Sequence, residues 1–508
     1  MTSVHGVTRK KGMTAKTCTR LIVLGLSLLL LYGGIAFLSQ DFIYGQGHRQ
    51  RPILLYVALY ASAFTLYVFA LLQVIGNVSF AQEGRAKRWK IATHGNQHIL
   101  PLSPLQKGET RIFIQPSVII LGFALLFRVV FLFSSPIQED DFYRYLWDGK
   151  VIASGLNPYG VAPSSVEEEQ AGTQPYRAIL KQDEAFGIIL ARVNHPWVPT
   201  IYPPLAQGIF GLAAFVAPGS LWGLRILFLL FDLSICFLLI NILHRLQLNE
   251  ALVLVYAWSP LVIKETINST HYDVIPTFFL MLAVCALLHQ WKKAAFVSLA
   301  LAILGKLYPL LLAPFFLWRV KESVGWSRAC EGIAILSVVI FAGYAPFLGV
   351  GAGLWQGAVT FVEQWQTNSF LFPLLATLVK NRWMANGVMG LVLGGLLFLL
   401  SRRHDLTDDP SFLWGNFVVL GALFLFSPVG DPWYFVWLTP FLCFFPMRSW
   451  ILLSGLLGLY YLSFYFMYHD MKETFRWVVV VEYLPFYGML IYEWYSTRST
   501  REFSPFAK

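Results

Sequence analysis

Charge is what this chain has least of. Asp, Glu, Lys and Arg make up 13% of its 508 residues, where soluble domains carry about 25%. A chain so poor in charge, with 56% hydrophobic residues, cannot coat two or three soluble domains with polar surface. Cysteine is also scarce. The five, Cys18, Cys236, Cys285, Cys330 and Cys443, fall in apolar or basic stretches, which argues against a disulfide framework, and no Cys/His spacing resembles a zinc site. Acidic residues are outnumbered by basic ones, for a net charge of +10. In an apolar chain that excess encodes membrane orientation rather than nucleic-acid binding.

What the chain has instead is repeated apolar runs of about 20 residues, the length that crosses a bilayer. The expected spans are 20–39, 53–75, 113–134, 222–243, 251–266, 274–290, 294–306, 308–319, 329–348, 386–401, 411–427, 432–446, 449–466 and 475–494. The reading is an all-α polytopic membrane protein with a bundle of about 14 transmembrane helices. The basic start followed by LIVLGLSLLLLYGGIAFL reads as a first span with its N-terminus in the cytoplasm. That apolar run is long for a signal-peptide core.

One further apolar stretch, 203–217, decides the orientation of everything after it. If it does not cross, the basic pairs Lys292/Lys293 and Arg402/Arg403 and the tail with Arg498 and Arg501 lie inside. They then join Arg85, Lys87, Arg88 and Lys90 there, as the positive-inside rule asks. Pro203 and Pro204 suit a helix entering from a loop. The expectation is therefore fourteen spans, one non-spanning helix and both termini inside. Within 294–319, Lys306 and Pro309 interrupt an apolar run that is basic at both ends. Two short helices with Lys306 at an outer turn resolve this, because broken helices at membrane depth are tolerated beside a polar cavity.

Polar groups then gather at the outer ends. After the third span comes EDDFYRYLWDGK. Its Glu139, Asp140 and Asp141 would be costly at a membrane boundary unless water, a cation or a substrate meets them. If a helix starts near Asp140, then Asp141, Tyr145 and Asp148 share a face. On the same side stand NHPWVPTIYPP with His195 and Tyr202, KETINSTHYD with Lys264, His271 and Asp273, Lys306, and SPVGDPWYF with Asp431, Trp433 and Tyr434. A loop with Trp355, Trp365 and Asn368 joins them. A carboxylate can take the proton of an attacking hydroxyl, and cations can stabilise a departing phosphate. Tyr and Trp faces suit sugar rings at interfacial depth. Plainer readings compete. Asp140 and Arg144 have the i, i+4 spacing of a helix ion pair, and His271 with Asp273 suits a helix cap. Trp433 and Tyr434 suit an aromatic belt. Glu167, Glu168 and Glu169 suit a solvated face, and Asn268 fits a glycosylation sequon.

The run EDDFYRYLWDGKVIASGLNPYGVAP, followed by NHPWVPTIYPPLAQ, resembles the first outer loop of GT-C fold, polyprenyl-phosphate-sugar-dependent glycosyltransferases. The nearest likeness is to bacterial mannosyltransferase-like integral membrane proteins. INSTHYDVIP, GKLYPLLLAP and DPWYFVWLTP resemble later motifs, in the same order. The resemblance spans roughly 113–446, with outer loop 135–201. It leaves 1–112 and 447–508 as two-helix additions. It implies an inverting transfer of a monosaccharide, mannose by family weight, from a polyprenyl-phosphate sugar to a lipid-linked or cell-envelope glycan. The reaction would occur on the extracytoplasmic face of a bacterial inner membrane. Asp140 or Asp141 would be the base. Glu139, Arg144, Tyr145, Asp148, His195, Tyr202, Lys264, His271, Asp273, Lys306, Asp431, Trp433 and Tyr434 would bind substrate, with Lys306, His271 and Lys264 toward donor phosphate. Relatives with an Asp-x-Asp pattern imply a divalent cation, Mg or Mn. Here Glu139 and Asp141 match that spacing only loosely. A lipid-linked sugar transporter or flippase is the competing class, although no internal repeat is visible. A non-catalytic subunit of an envelope assembly is the third.

Overall fold

The computed structural model describes residues 15–45, 47–92, 115–403 and 405–499. Arg501 lies outside them, and the side chains of Arg85, Lys87, Arg88, Lys90, Arg403 and Arg498 are likewise outside the description. Every regular element among the described residues is helical; one Thr367–Val429 bridge stands alone. Among the described residues, eight helices are long and apolar enough to cross a bilayer. They are Ala15–Phe42, His48–Ile75, Leu221–Arg245, Trp326–Val350, Arg382–Arg402, Asp409–Phe426, Arg448–Tyr468 and Lys472–Ser496. The protein is thus a polytopic helical membrane protein.

The other six expected spans are short or broken, for visible reasons. Pro116–Leu132 has 17 residues, Val274–Leu288 has 15 and Lys292–Gly305 has 14. At 1.5 Å per residue, 14 residues reach only about 21 Å. The stretch 251–266 is a series of single turns that ends in the π-turn Lys264–Asn268, with Pro260 starting one of the pieces. Likewise, Pro432 and Pro440 split 432–446 into Pro432–Trp437 and Thr439–Leu442. Proline removes a donor and clashes with the preceding turn. Such backbone survives at membrane depth only when protein covers it, and every residue from 251 to 277 is buried.

The chain turns back at Lys306. The helix Lys292–Gly305 stops there, and Tyr308–Leu312 leads into Ala313–Val324. The next helix, Trp326–Tyr344, lies so close to Lys292–Gly305 that a Cβ on Gly332 would sit 2.3 Å from Phe296 and one on Gly343 2.7 Å from Leu304. Residue numbers rise together along both helices, so they run parallel. Two reversals must separate them, one at Lys306 and one at Gly325.

Helix Pro204–Val216 has 13 residues. The residues before it, Tyr202 and Pro203, and those after it, Gly219 and Ser220, border the same cavity. Both its ends therefore face one side of the bundle. It packs on helix Asp141–Ala153 at a backbone crossing: a Cβ on Gly149 would lie 2.3 Å from the Phe210 carbonyl oxygen. Buried polar groups anchor the loop 135–201 from below. Arg225 donates to the carbonyls of Leu132, Ser134 and Asn268 at 2.9, 2.7 and 3.0 Å. Deeper in the bundle, Arg128 is paired with Asp232, which also accepts from the Tyr256 hydroxyl at 2.6 Å.

Two sequence expectations change here. The partner of Arg144 is Asp148, one turn later at 2.9 Å, and not Asp140. Asn268 is fully buried: its amide donates to Ser134 and to the Ser135 carbonyl, and its oxygen accepts from the Ile137 N–H. It is a structural tie, so the sequon is closed to modification in this fold. The terminal helix pairs reach the cavity too. Tyr44, His48 and Arg51 from one, and Tyr460, Phe464 and Tyr468 from the other, border the same cavity as the loop 135–201.

Candidate active site

A cavity of about 1370 Å³ opens at the end of the bundle where the loop 135–201 lies. Of the residues expected to act or bind, twelve border it, Glu139, Asp140, Asp141, Arg144, Tyr145, His195, Tyr202, Asp273, Lys306, Asp431, Trp433 and Tyr434, and Trp365 from the neighbouring loop joins them. Asp148, Lys264 and His271 stand behind its wall.

The acidic cluster sits where a loop becomes a helix. Helix Asp141–Ala153 begins at Asp141, and Asp140 holds the N-cap position without a capping bond from its side chain. A carboxylate in the first turn is favoured by the helix dipole. Both side chains point to one amide instead: Asn194 Nδ2 donates to Asp140 Oδ1 at 2.8 Å and to Asp141 Oδ1 at 2.7 Å. Burial, and then the neighbouring Asp141 charge, push Asp140 up to about 6. Burial likewise raises Glu139 well above the usual carboxylate range. Asp141 is more reachable than Glu139, with its side chain 26% exposed against 7%.

Behind the acids runs a buried relay. His271 Nδ1 lies 3.1 Å from Glu265 Oε2, and its Nε2 faces Asp141 Oδ2 at 3.8 Å and Glu139 Oε2 at 3.9 Å. Its ring stacks on Trp433 with centroids 4.2 Å apart. Glu265 also accepts from the Tyr461 hydroxyl at 2.8 Å, and that hydroxyl is bonded to Lys264. Lys264 donates further to Ser269 at 2.6 Å and to the Ile137 carbonyl at 3.3 Å. Its ammonium is therefore committed within the protein and does not reach the cavity.

Across the cavity, Lys306 Nζ is 2.6 Å from Asp273 Oδ1, which also accepts from Trp437 Nε1 at 2.6 Å. Asp273 stands at the N-cap of Val274–Leu288 but makes no capping bond; its carboxylate serves Lys306. Three rings surround the ammonium, Tyr434 at 4.1 Å, Tyr272 at 4.9 Å and Trp437 at 5.0 Å, a cation–π setting. Tyr145 fills the floor, stacked on Phe210 at 4.6 Å and edge-on to Tyr202 at 5.2 Å. Asp148 is locked below by Arg144 and Gln207. His195, which lies between Trp197 and Trp365, is held below its usual value by burial. Asp431 is pushed up to about 7, again by burial. Trp355 instead packs on Tyr344.

Several residues at the site are absent from the sequence reading. Asn194 stood inside the motif NHPWVP, yet nothing local showed that it bridges two acids. Arg192 donates to the Tyr143 hydroxyl at 2.9 Å and lies over the Tyr44 ring. Arg51 donates to Gln138 at 2.5 Å. Both arginines border the cavity, and neither has a carboxylate partner among the described residues. No group of three or more His, Cys, Asp or Glu side chains forms a metal cluster among those residues.

The stretch that carries these residues is similar in sequence to known proteins. Residues 115–322, which hold the acidic pair, Asn194, His271 and Lys306, match the family model described as "Alpha-(1->6)-mannopyranosyltransferase, N-terminal domain". The chain is a membrane glycosyltransferase similar to mannosyltransferases. A curated relative, Alpha-(1->6)-mannopyranosyltransferase A of Corynebacterium glutamicum, is 20% identical over 370 residues, covering 64% of this chain and 70% of the relative. These likenesses do not favour the transporter reading. No solved structure matches.

Proposed function

We propose that the protein transfers mannose from a polyprenyl-phosphate donor to a lipid-linked or cell-envelope glycan. The linkage formed is α-(1→6), and the active site faces the extracytoplasmic side of a bacterial inner membrane. The GT-C architecture is part of the same reading. One observation carries it: the stretch that matches the mannosyltransferase family model is the stretch that places Asp140 and Asp141 on a cavity at one end of a membrane bundle. The same-side ends of Pro204–Val216 and the turn at Lys306 support the outer placement, because they let every later basic pair lie inside.

Asp141 is the base in this reading. Its Oδ1 is held by Asn194, which leaves Oδ2 toward the cavity and toward His271. The acceptor oxygen attacks the anomeric carbon as the bond from that carbon to the phosphate oxygen breaks. Its proton passes to Asp141, and polyprenyl monophosphate leaves with the bonding pair. A single displacement inverts configuration, so a β-linked donor yields an α-linked product. Arg192 and Arg51, free of carboxylates, face the donor phosphate. Lys306 and its aromatic cage line the sugar pocket. Lys264 acts only through Tyr461 and Glu265.

The test is transfer by purified protein from a panel of polyprenyl-phosphate sugars, with the product linkage identified. Wild type should use the mannosyl donor, and Asp141→Asn should lose at least 100-fold in rate while folding normally. Full activity in Asp141→Asn would end the assignment of that base. Failure of every lipid-phosphate sugar would end the donor class.

A further inference from the structure

A second aromatic wall of the cavity has no part in the reaction so far. Phe361 and Trp365, one turn apart at the end of helix Gly353–Gln364, border the cavity together with His195. Phe361 and Trp365 stack with centroids 5.4 Å apart, and the His195 ring meets Trp365 at 4.6 Å. Phe361 and Trp365 are half-buried and His195 is exposed, so the wall is open on its cavity side.

The wall is held in place through the backbone. Gly357 seats its helix on residues 199–200: a Cβ there would lie 2.5 Å from the Pro199 carbonyl oxygen and 2.6 Å from that of Thr200. At the helix end Arg382 donates to the Val362 carbonyl at 3.3 Å, to the Trp365 carbonyl and to Gln366 at 3.2 Å. Those are carbonyls that a helix terminus leaves open. Two residues on, Thr367 N–H donates to the Pro428 carbonyl at 3.0 Å and Gly430 N–H to the Thr367 carbonyl at 2.9 Å. His195 takes a left-handed backbone, φ 48°, uncommon for a residue with a side chain. Rings fixed in this way lose little freedom when a ligand docks on them.

The place of the wall relative to the base carries the argument. His195 follows Asn194, which donates to Asp141 at 2.7 Å, and the Asp141 charge acts on the His195 ring. Arg192 approaches helix Asp141–Ala153 at Tyr143, whereas Arg144 donates to the Val198 carbonyl, in the segment on which Gly357 packs. Successive helix residues point about 100° apart, so Arg192 and the aromatic wall meet different faces of that helix. Asp141, three residues before Arg144, shares the face of Arg144. In an inverting displacement the nucleophile approaches the sugar from the face opposite the leaving group, and the base must reach the attacking hydroxyl. The ring that carries this hydroxyl belongs on the side of Asp141 away from Arg192, which is the side of the wall.

We infer that Trp365, Phe361 and His195 form the acceptor subsite, which takes a pyranose ring of the acceptor glycan against its apolar C–H face. Aromatic walls with a few polar groups beside them are how such sites hold a ligand. The inference rests on the transfer proposed above and adds to it the place where the acceptor binds.

The experiment measures initial rates of full-length protein in detergent with polyprenyl-phosphate mannose as donor and an α-(1→6)-linked mannose oligosaccharide as acceptor, each varied in turn. Trp365→Ala should raise the acceptor KM at least about tenfold, with the donor KM and the unfolding temperature near wild type. Trp365→Phe, which keeps a ring, should recover most of that loss. Phe361→Ala should shift the acceptor KM in the same direction, and it decides if Trp365→Ala does not fold. Trp355→Ala removes a tryptophan of the same helix that packs on Tyr344 and should leave both constants unchanged. Calorimetric binding of the oligosaccharide without donor should weaken in the Trp365→Ala and Phe361→Ala variants alone. An acceptor KM unchanged in both of them, or a donor KM that rises in its place, overturns the inference. A wild type that transfers no lipid-phosphate sugar ends the proposed reaction; the acceptor subsite is then decided by the calorimetry, and binding that is absent in wild type or unchanged in both variants overturns it.

Discussion

Asn194 donates from a single amide nitrogen to both Asp140 and Asp141, at 2.8 and 2.7 Å. Two adjacent carboxylates repel, and the shared donor holds them in one orientation while leaving Asp141 Oδ2 uncommitted. A hydrogen bond to a charged group is worth about 1.5–3 kcal/mol. Asn194→Ala should therefore lower kcat by about 10- to 100-fold, with thermal stability close to wild type. Asn194→Asp, which puts a third acid at the same place, should lose more. Single-turnover rates compared with unfolding temperatures check this.

Asp140 sets a pH dependence. With its carboxyl pushed up to about 6, the rate should fall as pH drops through about 6, and Asp140→Asn should lose that limb of the pH–rate profile. The effect on stability has the opposite sign. A raised carboxyl contributes stability that is fully present below its unfolded value of about 3.9 and is lost as pH rises through about 6. Asp140→Asn should therefore gain stability relative to wild type above pH 6 and not below pH 4, read from thermal unfolding across pH.

Arg51 and Arg192 should report on the donor. Arg51→Gln and Arg192→Gln should each raise KM for a lipid-phosphate sugar by about tenfold, one charge-assisted contact, with the acceptor KM little changed. Arg49, paired with Asp470 at the surface, serves as control: Arg49→Gln should leave both constants near wild type.

The crossing at Gly149 should not accept a side chain. Gly149→Ala puts a methyl 2.3 Å from the Phe210 carbonyl oxygen, so helix Asp141–Ala153 has to lift from Pro204–Val216. Overpacking of this kind costs about 1–3 kcal/mol. A lower unfolding temperature together with reduced kcat is the expected result, since Asp141 heads the lifted helix.

The buried pair Arg128–Asp232 gives a purely structural contrast. Arg128→Met leaves Asp232 buried without its cation, a loss of about 3–5 kcal/mol. Replacing both residues by apolar ones should recover most of it. Unfolding midpoints of the single and double variants measure the difference.

Much of the site was legible because charge is so scarce. Where few ionisable residues interrupt an apolar chain, each must be covered or used, so Lys306, Asp273 and Asp431 could be singled out one by one. Partnerships were not legible. Arg144 has an acid four residues before it and another four residues after it, and helical spacing fits both. The Val198 carbonyl, 54 residues away, accepts from its guanidinium at 3.0 Å and fixes it beside Asp148. Arg51 gave no signal because its partner, Gln138, lies 87 residues away. The break-up of 251–266 could be foreseen only at Pro260. The π-turn at Lys264–Asn268 answers to Arg225, Ser134 and Ser135, which no local pattern contains.

Helix Pro204–Val216 enters and leaves on one side. Had those 13 residues been long enough to pass through, the chain after them would be mirrored across the membrane. The half of the cavity that carries Asp141 would then be built in one compartment, and the half that carries Lys306 and Asp431 in another. During synthesis, before the later helices exist, the fate of that single short segment determines whether the two halves can ever meet. Lengthening it by two turns of leucine is therefore a change to the order of assembly, made without touching any residue that borders the reaction.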